Sequence, residues 1–180
     1  MSGAPEAAGR PTFATDSVHL LRTAQQVQYQ LSQMADQKAN MVLAAAFVIF
    51  TVTISQAHNL ARPAPLLVLG AAAFAAAFLA ILAVLPSVKA TPRPDGPANL
   101  LFFGSFTQLS EDEFIENILG VLSEPRTVYE AFAHDIYQNG RVLAFKKYRF
   151  LGYAYRILAG GLVASLLVFL APYVLPGVFG

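Results

Sequence analysis

Three long uncharged apolar runs dominate the chain, at residues 39–57, 64–88 and 157–175. At about 1.5 Å of helix rise per residue, the first run is roughly 28 Å long, close to the thickness of a bilayer core. Three such runs in 180 residues leave too little polar chain to bury them inside a soluble core. The pattern therefore predicts an all-α integral membrane protein, with three transmembrane helices and long cytoplasmic helical extensions.

The polar segment at 16–38, before the first run, has a helical pattern of its own. Its apolar residues recur at alternating spacings of four and three, which is typical of a coiled-coil seam. They are Leu20, Ala24, Val27, Leu31 and Met34, the apolar stripe. No helix breaker separates this segment from the first run, so one helix is predicted to cover both. The stripe either packs on other helices of the same chain or joins copies of the chain, and the sequence leaves both alternatives open.

Residues 89–156 connect the second and third runs and form the second cytoplasmic region. A Pro-rich linker over 89–97 leads to an aromatic run at 99–107, which is expected to be a strand or a loop. Ser110 and Glu113 form a capping box, which predicts a helix ending near Leu122. A second helix is predicted from Pro125 into the third apolar run. Residues 1–15 have no periodicity and are expected to be a disordered tail.

The basic residues predict the orientation of the spans. The chain has 12 Lys and Arg residues, and with three spans all of them except Arg62 fall on one side of the membrane. Basic residues concentrate on the cytoplasmic side of membrane proteins. We therefore expect a multi-pass protein of the cell inner membrane, with a cytoplasmic N-terminus and a periplasmic C-terminus.

The chain shows no pattern of an enzyme active site. It contains no cysteine and only three histidines, and these are scattered. Phosphate-binding glycine loops and zinc-ligand spacings do not occur in it, so we predict that it is not an enzyme. No ionisable residue lies within the three apolar runs, which argues against a proton relay or a transporter with a charged central site.

A basic cluster before the third run is the best candidate for a binding site. Its members are Arg141, Lys146, Lys147 and Arg149. Residues this close to a span also anchor helices to anionic lipid. Arg141, however, lies about 24 Å of helix from the span, which favours phosphate binding there. Three residues shortly before Arg141 complete the candidate ligand site, namely Asp135, Tyr137 and Asn139.

A second polar group lies where the first helix should enter the bilayer. It consists of Asp36, Lys38 and Asn40. A carboxylate at this depth needs an opposite charge. The sequence predicts that Asp36 pairs with a Lys or Arg of the long helix.

Three short motifs in this order resemble one known family. The first, Asp36-Gln37-Lys38-Ala39, leads into the first span. The second, Leu101-Phe102-Phe103-Gly104, follows the second span. In the third, residues 135–139 are followed by Lys147-Tyr148-Arg149 and then by the third span. This arrangement, over residues 16–170, is similar to the transmembrane effector family of the bacterial Pycsar anti-phage system (PycTM-like).

The resemblance implies a ligand-activated defence protein. In that family a partner cyclase makes cyclic CMP or cyclic UMP on infection, and the nucleotide activates the effector, which impairs the inner membrane and arrests growth. The implied ligand is a cyclic pyrimidine nucleotide, with no cofactor. The implied partners are membrane lipid, the nucleotide from the cyclase and further copies of the chain, with no nucleic acid. The alternatives are a membrane scaffold or regulatory subunit without a nucleotide ligand, and a constitutive pore.

The orientation is tested by topology reporters. Fusions at Leu60 and at the C-terminus should both report a periplasmic position, because the basic segments of the protein stay in the cytoplasm and these two positions lie on the other side of the membrane. A fusion at the N-terminus, which should report the cytoplasm, is the control. A cytoplasmic C-terminus would contradict the three-span arrangement.

Overall fold

The computed structural model describes residue 14 and residues 16–57, 63–85 and 98–174. Its helices are α1 (Ser17–Ala57), α2 (Ala64–Val84), α3 (Phe103–Phe106), α4 (Glu111–Leu122), α5 (Pro125–Val142) and α6 (Arg149–Val174), and the π segment (Leu143–Tyr148) joins α5 to α6. No strand occurs within these ranges. Three helical stretches, in α1, in α2 and in Pro125–Val174, are long and apolar enough to cross a membrane. The protein is therefore an all-α integral membrane protein.

The structure confirms that the polar helices continue into the apolar ones. Helix α1 is uninterrupted from Ser17 to Ala57, and α5, the π segment and α6 follow one another without a break. The capping box also forms, because Ser110 Oγ accepts from Glu113 N and Glu113 Oε2 accepts from Ser110 N. The Pro-rich linker lies outside the described residues, as does the predicted tail except for residue 14. The π segment is a feature that the sequence did not predict.

The aromatic run at 99–107 is a loop that contains a single helical turn, α3, so the expected loop is present and the expected strand is not. The reason is local hydrogen bonding by Asn99 and Ser105. Asn99 Oδ1 accepts from Leu101 N at 3.0 Å, and Asn99 N donates to Ser105 Oγ at 3.0 Å. These bonds turn the backbone back on itself.

Helix α2 ends at Val84, before the predicted end of the second run at residue 88. Leu85 has φ −56° and ψ 122°, which is not helical. Residue 86 is a proline, and proline disfavours the helical conformation in the residue before it. The α2 helix therefore stops short of the polar ends of its two neighbours.

Helix α2 lies between α1 and α6 and contacts both through small side chains. Ala76, Ala80 and Ala83 are buried and pack with residues of α1 and α6, namely Ala39, Val42, Leu151 and Ala154. Small residues allow helices to approach closely in lipid. The alanine face of the second span therefore packs within the chain.

Gly161 and Ser165 of α6 also pack within the chain. A Cβ atom at Gly161 would overlap the Cβ of Ala72. Ser165 Oγ donates to the carbonyl oxygen of Pro65 at 2.8 Å. Both residues therefore hold α6 against α2.

The apolar stripe of α1 faces outward. Leu20 is 71% exposed, Val27 47% and Met34 45%. The α1 residues that face α5 are instead Gln25 and Gln28, with Ser32 facing the π segment. Most of the stripe is therefore left uncovered by the described helices of its own chain.

Two neighbouring glycines test the α2–α6 packing. Gly161→Ala should lower the free energy of unfolding in detergent by about 1–3 kcal/mol, because the new methyl group forces α2 and α6 apart. Gly160→Ala is the matched control, since a Cβ there meets nothing within 4 Å, and it should leave the stability unchanged or raise it. Thermal unfolding in detergent measures both, and equal effects of the two changes would contradict the described packing.

Candidate functional site

A cavity of about 600 Å³ lies at the polar end of the bundle. By polar end we mean residues 16–38 and 98–148. Its floor is formed by the last residues of α2, Ala83, Val84 and Leu85. Because α2 stops there while α1 and α5 continue, these two helices enclose a space that α2 does not fill.

The walls of the cavity combine amide, aromatic and basic side chains. On α1 the lining residues are spaced three or four apart and so share one face; they are Gln25, Gln28, Tyr29 and Ser32. The opposite wall belongs to α5 and the π segment, with Asp135, Asn139, Val142, Leu143, Lys146 and Lys147. Phe102 and Phe103, at the start of α3, add aromatic surface. Such a lining suits a small anion that carries a planar ring.

Asp135 organises the end of the cavity that lies away from α2. Its side chain is only 4% exposed, and a buried carboxylate is stable only when it is hydrogen-bonded. Oδ2 accepts from Gln25 Nε2 at 2.7 Å, and Oδ1 accepts from Asn99 Nδ2 at 3.1 Å. Asn99 Nδ2 also donates to Gln138 Oε1 at 3.0 Å. Asp135 thereby joins α1, α5 and the segment before α3.

Lys147 connects the π segment to α1. Its ammonium donates to Asp36 Oδ2 at 2.7 Å, to Asp36 Oδ1 at 2.8 Å and to Ser32 Oγ at 2.7 Å. The side chains of Lys147 and Asp36 are 20% and 41% exposed. The prediction that Asp36 pairs with a basic residue of the long helix is confirmed.

Lys146, the preceding residue, points to a different helix. Its ammonium donates to the carbonyl oxygen of Leu85 at 2.7 Å, at the end of α2. A cation is favourable at this place, because the carbonyl groups at a helix C-terminus carry partial negative charge. The two adjacent lysines thus bind the π segment to both α1 and α2.

Gln28 has a polar atom without a partner. Its Oε1 is buried and makes no hydrogen bond, and Gln28 is one of the residues that line the cavity. A buried acceptor in this state costs about 1–3 kcal/mol. A ligand donor that reached this amide would recover that free energy.

The structure brings only part of the predicted ligand group to the cavity. Asp135, Asn139, Lys146 and Lys147 line it. Arg141 lies 5.9 Å from the Phe145 ring centre and Arg149 lies 5.9 Å from that of Tyr153, both on exposed surface outside the lining. Tyr137 is 65% exposed. Lys38 and Asn40 are exposed as well, and neither lines the cavity.

Several lining residues were missed from the sequence. Gln25, Gln28 and Ser32 were overlooked because the apolar stripe defined the helix, although their spacing of three and four does mark one polar face. Asn99 carries no comparable signal, because its role depends on contacts with residues far away in the sequence. Within the described ranges, no cluster of three His, Asp or Glu side chains is arranged to hold a metal ion.

Comparison with known proteins identifies the family. The model of the Pycsar effector protein domain, PycTM, matches residues 19–174. No curated protein and no solved structure matches the chain significantly. The matched range covers α1, α2, the polar end and α6, and therefore most of the described structure. The chain belongs to the PycTM family of Pycsar effector proteins.

Proposed function

We propose that the protein binds a cyclic pyrimidine mononucleotide in the cavity of the polar end and then impairs the integrity of the inner membrane. Membership of the PycTM family indicates an effector of anti-phage defence. The proposal further takes the polar end to be cytoplasmic, where a cyclase would release cyclic CMP or cyclic UMP. The single observation that carries it is the position of the cavity, which touches three membrane-spanning helical stretches at once.

The chemistry of the lining fits this ligand class. A cyclic mononucleotide carries one negative charge and one planar base. Lys146 and Lys147 offer ammonium groups for the phosphate, and aromatic rings such as Phe102 can stack on the base. The amides of Gln28 and Asn139 can hydrogen-bond its edge. A volume of about 600 Å³ also lies within the usual range for small-molecule sites.

A ligand in the cavity can act on the membrane because the helices that form the cavity walls do not belong to a separate domain. Helix α1 and the α5–α6 helix continue from the cavity into the apolar part of the bundle. A ligand can shift the equilibrium between two packing arrangements of these helices only as far as its affinities for the two arrangements differ. A scaffold or regulatory subunit, the alternative function, would need no such ligand.

We also propose that the effector assembles through the apolar stripe of α1. The stripe has coiled-coil spacing and is exposed in the single chain, with Leu20 at 71% and Val27 at 47%. A second copy of the same helix would cover it.

A bulky side chain in the cavity should block activation. Val142 lines the cavity and is 43% exposed, so Val142→Trp should fold and occupy ligand space. In cells that make cyclic CMP or cyclic UMP, we expect growth arrest and dye entry to require at least about tenfold more nucleotide, equivalent to roughly 1.4 kcal/mol of lost binding.

Two further variants define what this result means. Phe145→Trp is the matched control, because Phe145 is 65% exposed and does not line the cavity. It should respond to nucleotide as the unmodified chain does. If Arg141→Ala abolished the response while Val142→Trp did not, the phosphate would bind outside the cavity, as the sequence alone suggested. If no cyclic nucleotide changed the behaviour of the unmodified protein, the scaffold function would replace the effector mechanism.

Charges on the stripe should prevent assembly. Val27→Glu together with Leu31→Glu should reduce cross-linked species in membranes several-fold, because a seam cannot bury carboxylates without partners. Gln26→Glu together with Gln33→Glu adds the same charge to exposed positions off the stripe and should leave cross-linking unchanged. Undiminished cross-linking in an inserted stripe variant would place the contact between copies elsewhere.

A further inference from the structure

The Lys147 ammonium stands between the cavity and a carboxylate that does not line it. Lys147 and Ser32 both line the cavity, whereas Asp36 does not. An ammonium has three N–H donors, and the three acceptors around Lys147 are Ser32 Oγ and the two oxygens of Asp36. An anion that entered the cavity would therefore have to take a donor from one of them.

We propose that Lys147 and Ser32 form the phosphate subsite of the cavity, and that the ligand phosphate binds there in competition with Asp36. This inference rests on the proposed function, because it assigns one part of that ligand to named side chains. The phosphate accepts from Lys147 Nζ and from the Ser32 hydroxyl. The ion pair of Lys147 with Asp36 weakens as the phosphate takes its place.

The charges along the cavity place the phosphate at this end. The lining residues with formal charge are Asp135, Lys146 and Lys147. Asp135 precedes Lys147 by twelve residues, or about 18 Å of regular helix, so its carboxylate repels an anion least at the lysine end. Gln28 lies one turn from Ser32 along α1, about 6 Å away. The base of a ligand with its phosphate at Ser32 would thus lie toward the amide whose Oε1 lacks a partner.

Competition for Lys147 couples ligand binding to the packing of the helices. The ion pair holds the π segment against α1 just above the packed apolar core. π-helical turns are rare, occur mostly as single turns inside α-helices and are frequent at functional sites. Loss of the Asp36 contact therefore releases α1 from the segment of the long helix that is least regular.

The test uses two variants, each of which removes one partner of the ion pair between Lys147 and Asp36. Affinities for cyclic CMP and cyclic UMP are measured on the full-length protein in nanodiscs. Lys147→Gln should weaken binding by about tenfold or more, because the charged donor to phosphate is lost. Asp36→Asn should tighten binding about two- to fivefold, because the competing carboxylate is gone. Ser32→Ala should weaken binding without changing the ion pair.

A purely structural role of the ion pair predicts a different result. In that case Lys147→Gln and Asp36→Asn would change the affinity in the same direction, and this outcome would overturn the proposal, as would unchanged affinity in Lys147→Gln. Glu130→Gln is the matched control, since Glu130 is 61% exposed and pairs with Arg126 away from the cavity; it should bind as the unmodified chain does. If the unmodified chain bound neither nucleotide, the proposed function would fail first and the subsite would fall with it.

Discussion

The early end of α2 is the constraint on which the polar end depends. A proline at position 86 keeps Leu85 out of the helical conformation, while α1 and α5 have no such interruption beside it. Two helices therefore continue past the end of a third, and side chains of α1 and α5 must fill or bridge the space between them. The cavity, the contact of Lys146 with the end of α2 and the ion pair of Lys147 with Asp36 all lie in that space.

Polar contacts through Asp135 and through Lys147 join α1 to the long helix, and these two differ in burial. The connection through Asp135 is buried, and each carboxylate oxygen accepts a hydrogen bond from an amide. Breaking it would leave a charge without partners in a place of low dielectric. The connection through Lys147 is partly exposed, so water and other anions can replace its partners at much lower cost. The first connection is suited to holding the helices together, and the second to being exchanged.

The sequence predicted the parts of the fold that follow from periodicity and charge. The membrane-length helices, the capping box at Ser110 and the continuity of the long helices depend on neighbouring residues, and they formed as expected except that α2 ends at Val84. The pairing of Asp36 with a lysine followed from the cost of an isolated charge near lipid. The sequence did not predict the cavity, because the cavity arises from the relative lengths of helices. Arg141 was favoured for its distance from the membrane, but that distance does not determine the direction in which a side chain points. The π segment also depends on tertiary contacts, since Lys146 and Lys147 reach different helices from adjacent positions.

A ligand in the cavity should loosen the contact between α1 and the π segment. The absence of cysteine from the chain permits two spin labels to be attached at introduced cysteines, at the exposed positions Gln33 and Ala144. The distance distribution between them is measured in nanodiscs with and without saturating cyclic CMP or cyclic UMP. We expect a narrow distribution without nucleotide, and a longer or broader one with it. An unchanged distribution in protein shown to have bound the nucleotide would contradict the proposed loosening of α1.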